Sequence, residues 1–167
     1  MDAHRFTCRV YYEDTDLAGI VYYANYLKFI ERARSEWVRE LGLDQRALKE
    51  SEGAVFAVRR VEADYLSPAR FDDLLCVTTT VHHATPARLT LDQEVRRDET
   101  LLFRARVTLV MLDATGRPRR LPERLRRLAE SGAPARNREE ARQASGQDAP
   151  RRPAASPAPA SPHSRAG

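Results

Sequence analysis

The stretch from Tyr11 to Trp37, YYEDTDLAGIVYYANYLKFIERARSEW, decides how the rest of the chain must be read. Its first half carries three carboxylates, Glu13, Asp14 and Asp16, followed by Gly19. Its second half changes rhythm: Tyr26 or Leu27, Ile30, Ala33, Trp37 or Val38, and Leu41 recur every three to four residues, with Lys28, Arg32, Glu36 and Arg39 between them. That spacing predicts one amphipathic helix of about four or five turns. Gly42 stands where a helix places its C′ residue.

Outward from this segment the period is two. On the N-terminal side Phe6, Cys8, Val10 and Tyr12 alternate with Thr7, Arg9 and Tyr11, a strand running into the acidic group. On the C-terminal side, after a short irregular or helical stretch from Gln45 to Glu52, Val61, Ala63 and Tyr65 alternate with Arg60, Glu62 and Asp64, and Pro68 closes that strand. Leu75, Val77, Thr79 and Val81 form the next row. Leu89, Leu91, Gln93 and Val95 follow, then Phe103, Ala105, Val107, Leu109 and Met111, before a turn at Asp113 to Gly116 and a short helix from Pro122 to Glu130. Short gaps before Arg88 and Leu101 imply hairpins. The expected fold is α+β, one long helix packed against a mostly antiparallel five-stranded sheet. Strand faces rich in Leu and Val imply a homo-oligomer that pairs sheet edges or covers a sheet face.

Composition divides the 167 residues at Glu130. From Ser131 to Gly167 there are six prolines, six arginines, three acidic residues and no Phe, Tyr, Trp, Leu, Ile, Val or Met. Such a stretch buries too little apolar surface to offset the entropy of ordering it, so residues 131–167 are expected to be a disordered tail and residues 1–130 the folded domain. The domain holds 22 Lys or Arg and 21 Asp or Glu, a net of +1. That near-neutral body argues against a nucleic-acid surface, although Arg117, Arg119, Arg120, Arg124, Arg126 and Arg127 cluster. Cys8 and Cys76 have no metal-ligand spacing, which fits reduced, buried thiols in a cytoplasmic setting. No window reaches the roughly 20 apolar residues of a membrane span, and the N-terminus lacks the apolar run of an export signal.

If the first strand continues through the acidic group, Asp14 and Asp16 point the same way, and an acid-base pair or a metal site is conceivable; no histidine lies nearby to complete a ligand set. Alternatively one carboxylate works at the start of the helix, where free backbone N-H groups and the helix dipole offer donors to a developing oxyanion. Acidic residues before a glycine more often serve turn and cap chemistry.

The run from Tyr11 to Trp37 closely resembles the signature of the 4-hydroxybenzoyl-CoA thioesterase-like hotdog family, particularly its Tol-Pal-associated branch, and DYLSPARFDDLLCVTT, from Asp64 to Thr79, resembles the same branch. The likeness extends from about Phe6 to Glu130. It implies a hotdog fold and hydrolysis of acyl-CoA thioesters without a cofactor or metal, CoA being part of the substrate. The family's active-site aspartate falls on Asp16 and its glycine on Gly19. The backbone N-H that polarises the thioester carbonyl falls on Tyr23, where the Tol-Pal branch often has a histidine. An imidazole transfers protons near pH 7, whereas a phenol ionises only near pH 10, so the resemblance leaves Asp16 as the dominant group.

Tyr12 and Tyr26 match aromatic positions of the motif and are expected to shape the substrate pocket. Glu31 also matches, with a partly buried ion pair or a cap as the competing role. The CoA phosphates call for basic residues near the site mouth, for which Arg59, Arg60, His83 and Arg88 are candidates. The implied partners are a second copy, as homodimer or homotetramer, and envelope-system or acyl-carrier proteins. A non-hydrolytic acyl-thioester binding protein, or a Tol-Pal-associated interaction protein, is the alternative on the same fold.

Overall fold

Alternation near the N-terminus makes a strand, but it stops earlier than the pattern predicts. The computed structural model describes residues 3–132. In it β1 is His4–Arg9, and Tyr12–Asp14 winds into a single 3-10 turn. Beyond it come α1 (Asn25–Glu40), α2 (Gln45–Glu52), β2 (Val55–Tyr65), β3 (Leu74–Ala84), β4 (Arg88–Arg97), β5 (Thr100–Leu112), β6 (Pro118–Arg119) and α3 (Glu123–Gly132). The last helix runs two residues past the expected boundary at Glu130. The expected disordered tail, from residue 133 on, lies outside the described residues.

All strand pairs are antiparallel, in the order β1-β3-β4-β5-β2. The sheet has six strands rather than five. Asp113 accepts from the Thr115 and Arg117 backbone, Gly116 takes φ +80°, and the chain folds back so that Arg119 and Pro118 pair with Met111 and Leu112.

The predicted helical stripe is the core. Tyr26, Phe29, Ile30, Ala33, Trp37 and Val38 are buried on α1, which lies over β3 and β4. They share one cluster with Leu75, Val77, Leu89, Leu91, Val95, Phe103 and Val107. Each fully buried Leu, Ile or Phe contributes roughly 1.5–3 kcal/mol. The helix ends on Gly42 at φ +71°, its N-H donating to Arg39 and that of Leu43 to Val38, a Schellman arrangement. Cys8 is packed, and burial pushes its thiol up to about 11, so it carries no reactive thiolate at neutral pH.

One strand departs from the expected core. Val61, Ala63 and Tyr65 pair with Val107, Ala105 and Phe103 and so lie on the helix side of the sheet, yet Val61 is 39% and Tyr65 49% exposed. β2 is an edge strand that α1 meets at its end, through the Tyr26–Tyr65 ring contact, so the apolar face around Val58 and Val61 stays open within the chain.

Beneath α1 a polar network crosses the core. Gln93, fully buried, donates through Nε2 to the Ile30 carbonyl (3.0 Å) and Thr79 Oγ1 (2.9 Å), and its Oε1 accepts from Arg34 Nη1 (2.8 Å). Burial lowers the Arg34 pKa, only partly offset by Glu31. Gln93→Leu leaves this guanidinium and the Thr79 hydroxyl without their partner, and urea titration should show a loss of about 2–4 kcal/mol. An unchanged midpoint would show that the network contributes nothing.

Candidate active site

The three carboxylates that sequence places together are pulled apart by the end of β1. Glu13 is exposed. Asp14 is 5% exposed and accepts from the Tyr11 N-H through Oδ2 (2.8 Å), while its carbonyl accepts from the Tyr22 N-H and from Asn25 Nδ2, both at 2.9 Å. It is a structural carboxylate, turned to its own backbone. The expected same-side pairing of Asp14 and Asp16 does not form, because the 3-10 turn replaces the strand that would have aligned them.

Asp16 begins a tight turn. Thr15 bridges Val21, the Asp16 N-H donates to Ile20, and the Gly19 N-H returns to the Asp16 carbonyl (2.9 Å each for the two hydrogen bonds). Gly19 closes the turn at φ +70°, where a β-carbon is strained whatever space surrounds it. Asp16 Oδ1 accepts from the Ala18 N-H (2.9 Å), which fixes an otherwise exposed carboxylate. The turn docks on the segment after β2: Val21 donates to Ala69 (2.8 Å) and Ile20 bridges Arg70.

The chain then enters α1 without a side-chain cap; the N-cap residue is Ala24. Among the described residues the N-H groups of Tyr23 and Ala24 find no protein acceptor. The positive end of the helix dipole is therefore left with free donors. Asp16, Val21, Tyr22, Tyr23, Tyr26 and Tyr65 line one open cleft of about 370 Å³, closed on its far side by Leu66, Ser67 and Pro68. A larger hollow of about 570 Å³ spans β2, β4 and β5, but its charged groups are already paired, Arg104 with Asp64 and Arg106 with Asp92 at 2.8 Å across it, and Glu62 and Glu94 with the neighbouring Arg60 and Arg96. The smaller cleft combines an anion, free donors and aromatic walls, which is what an acyl-transfer site requires.

Residues 18–104, just over half of the chain, match the family model described as the thioesterase superfamily. The chain belongs to the thioesterase superfamily. It is 42% identical over 108 residues to the acyl-CoA thioesterase YbgC of Haemophilus influenzae, an alignment covering 65% of this chain and 79% of that protein. Among solved structures, the probable thioesterase from Bartonella henselae is 39% identical with a TM-score of 0.70, covering 72% of this chain and 100% of that one. A 4-hydroxybenzoyl CoA thioesterase mutant complexed with 4-hydroxybenzoyl CoA has a TM-score of 0.71 at 23% identity, over 76% of this chain and 98% of that one; this likeness shows the hotdog fold alone.

Within this superfamily member the expected residues separate into three groups. Asp16, Gly19, Tyr23 and Tyr26 share the turn, helix start and cleft. Tyr26 is buried; its hydroxyl accepts from the Ala69 N-H (2.8 Å), tying α1 to the cleft's far wall, and burial raises its pKa. Tyr12 is 83% exposed and does not shape the cleft, because the strand that would have turned it inward ends at Arg9. Glu31 is also outside the cleft: it lies on the exposed side of α1 and accepts from Ser35 Oγ (2.8 Å), one turn on. Arg59, Arg60, His83 and Arg88 are exposed and none lines the cleft. Arg60 pairs with Glu62 (2.9 Å) on β2, while His83 and Arg88 sit three and two strands away, on β3 and β4.

Sequence reasoning assigned no role to Tyr22, Tyr65 or Arg70, although Tyr65 and Arg70 both lie in the second matched segment. Among the described residues no three His, Cys, Asp or Glu side chains are placed to hold a metal ion. Gly19→Ala should lower stability by about 1 kcal/mol from backbone strain and displace Asp16, so that thioester hydrolysis falls further than stability does. Gly19→Asn, which tolerates positive φ, should keep more of both; equal behaviour of the two variants in denaturation and free-CoA assays would show that φ is irrelevant there.

Proposed function

We propose that this thioesterase hydrolyses acyl-CoA thioesters to free acid and CoA, with Asp16 as the reacting carboxylate and the Tyr23 N-H as donor to the thioester carbonyl. The observation that carries this reading is the shared cleft: the Asp16 turn forms one wall and the uncapped start of α1 the next. As a nucleophile or through water, Asp16 builds a tetrahedral centre whose oxygen gains negative charge. A donor of fixed orientation stabilises that charge more than it stabilises the neutral carbonyl, and so lowers the barrier. The CoA thiolate then departs; on the nucleophilic route this leaves an acyl-aspartyl anhydride, which water hydrolyses to the free acid and the restored Asp16 carboxylate. Gly19 lets the turn close tightly enough to present Asp16. The aromatic wall and the Leu66–Pro68 segment take the acyl group.

Asp16→Asn keeps the shape of the turn and its contact with Ala18 while removing the charge. Free-CoA release should fall at least 100-fold across short, long and aromatic acyl-CoAs. Normal turnover in the variant, or saturable binding without turnover in the wild type, would overturn the assignment.

A second copy completes the site in this reading. On the side away from β5, β2 has no neighbouring strand among the described residues, and Val58 and Val61 are exposed along it. Open edges of this kind pair with another chain or must be blunted. Edge pairing buries that row and brings Arg59 and Arg60 to the seam, where they can meet the CoA phosphates; His83 and Arg88 lie too far from the edge to share it. A tetramer requires a further contact. The link to the Tol-Pal branch, with envelope-system or acyl-carrier partners and a cytoplasmic site of action, rests on the resemblance of the two matched segments. No helix among the described residues is long and apolar enough to cross a membrane. Sedimentation should show a dimer that Val61→Lys weakens at least tenfold, since the substitution buries a charge in the seam; a monomeric wild type would refute the pairing.

A further inference from the structure

The Tyr23 carbonyl lies just before the N-cap residue Ala24 and takes no bond from the helical ladder of α1. The N-H of Leu27, four residues on, donates instead to Ala24 (3.2 Å), and the partner Tyr23 does have comes from 42 residues away: the hydroxyl of Tyr65 donates to it at 3.1 Å. Tyr65 is the last residue of β2, and the chain is pinned immediately after it, where the N-H groups of Leu66 and Ser67 both donate to Leu102 (2.9 and 3.0 Å). Its ring meets three others edge to face, those of Tyr23 at 6.1 Å, Tyr26 at 5.7 Å and Phe103 at 5.0 Å. Packing holds the ring, and the ring aims the hydroxyl.

From this geometry we infer that Tyr65 is a positioning residue for the thioesterase site, its hydroxyl setting the orientation of the Tyr23–Ala24 peptide and so of the free donors at the start of α1. The inference rests on the proposed role of the Tyr23 N-H at the cleft. A peptide is planar, with its C=O and N-H directed oppositely, so a bond that fixes the Tyr23 carbonyl also fixes the Ala24 N-H. The same torsions determine how the adjoining Tyr22–Tyr23 peptide presents the Tyr23 N-H. A hydrogen bond received at the carbonyl also polarises the peptide and strengthens its N-H as a donor. Without the Tyr65 hydroxyl no other group among the described residues holds this carbonyl, and the donors must be ordered during the reaction rather than before it. Burial raises the pKa of Tyr65, with a further contribution from Tyr23, which keeps the phenol protonated and therefore a donor.

Tyr65→Phe separates the hydroxyl from the ring, because all three ring contacts survive it. Steady-state kinetics on the best acyl-CoA substrate should show kcat reduced about 10- to 100-fold with KM changed less than about twofold, the pattern of a group acting only in the transition state. In the same variant the Ala24 amide nitrogen resonance should move upfield, while the melting temperature stays close to that of the wild type. Unchanged kcat in the folded variant would overturn the inference. A raised KM at constant kcat would overturn it too, by making the hydroxyl a substrate contact. If the wild type itself turns over no acyl-CoA, the functional reading fails separately, and the Ala24 resonance then decides: a shift sustains the positioning role and a fixed resonance refutes it.

Discussion

Phe29, Ile30 and Ala33 are shut off from solvent between α1 and the strands beneath it, and this burial fixes where the helix begins. An α-helix advances 1.5 Å per residue, so even a one-residue slip would move its first N-H groups by about that much and force the stripe out of register with Leu91 and Val77. Gln93 adds a polar pin at the Ile30 carbonyl, and the Schellman end at Gly42 fixes the other terminus. The donors at Tyr23 and Ala24 thus stand where they do because the opposite end and the middle of the same helix are locked. Their freedom to meet a substrate is a local property, while their position comes from the core.

The anionic half of the site is built by a division of labour between two aspartates. Asp14 gives up its carboxylate and carbonyl to hold Tyr11, Tyr22 and Asn25, which ties the 3-10 turn to the start of α1. Asp16, two residues on, closes its own turn through its backbone, while its carboxylate accepts from Ala18 and stays open to the cleft. Burying one carboxylate with satisfied bonds and exposing the other gives the cleft a fixed frame and one open carboxylate. Tyr26, in the first turn of α1, and Tyr65, at the end of β2, border the same region, so the acidic turn and the end of β2 converge on one helix terminus.

The open side of β2 concerns the same residues. Its apolar row belongs by register to the core face, yet α1 packs mainly on β1, β3 and β4. Tyr65 closes this row at the cleft wall. Whatever covers the row therefore also meets the ring that holds the Tyr23 carbonyl, so the open face and the cleft share a residue.

The helix, its ending at Gly42 and the strand alternation were legible in the sequence, because periodicities of 3.6 and 2 record which side of an element meets the core. Asp16, Gly19 and Tyr23 were legible as a motif, since a turn and the helix it feeds are neighbours in sequence. The early end of β1 was not, because Tyr12 continues the alternation and only the 3-10 turn held by Asp14 reveals the break. Neither was the exposure of Val61 and Tyr65: alternation shows which face a residue takes, and only the tertiary arrangement decides whether a helix lies over that face. The contact of Tyr65 with Tyr23 spans 42 residues and depends on strand order, so local pattern holds no trace of it. Sequence by itself determined the elements and the turn that carries Asp16, because both are local; the packing of α1 decided which residues line the cleft beside it and which strand was left uncovered.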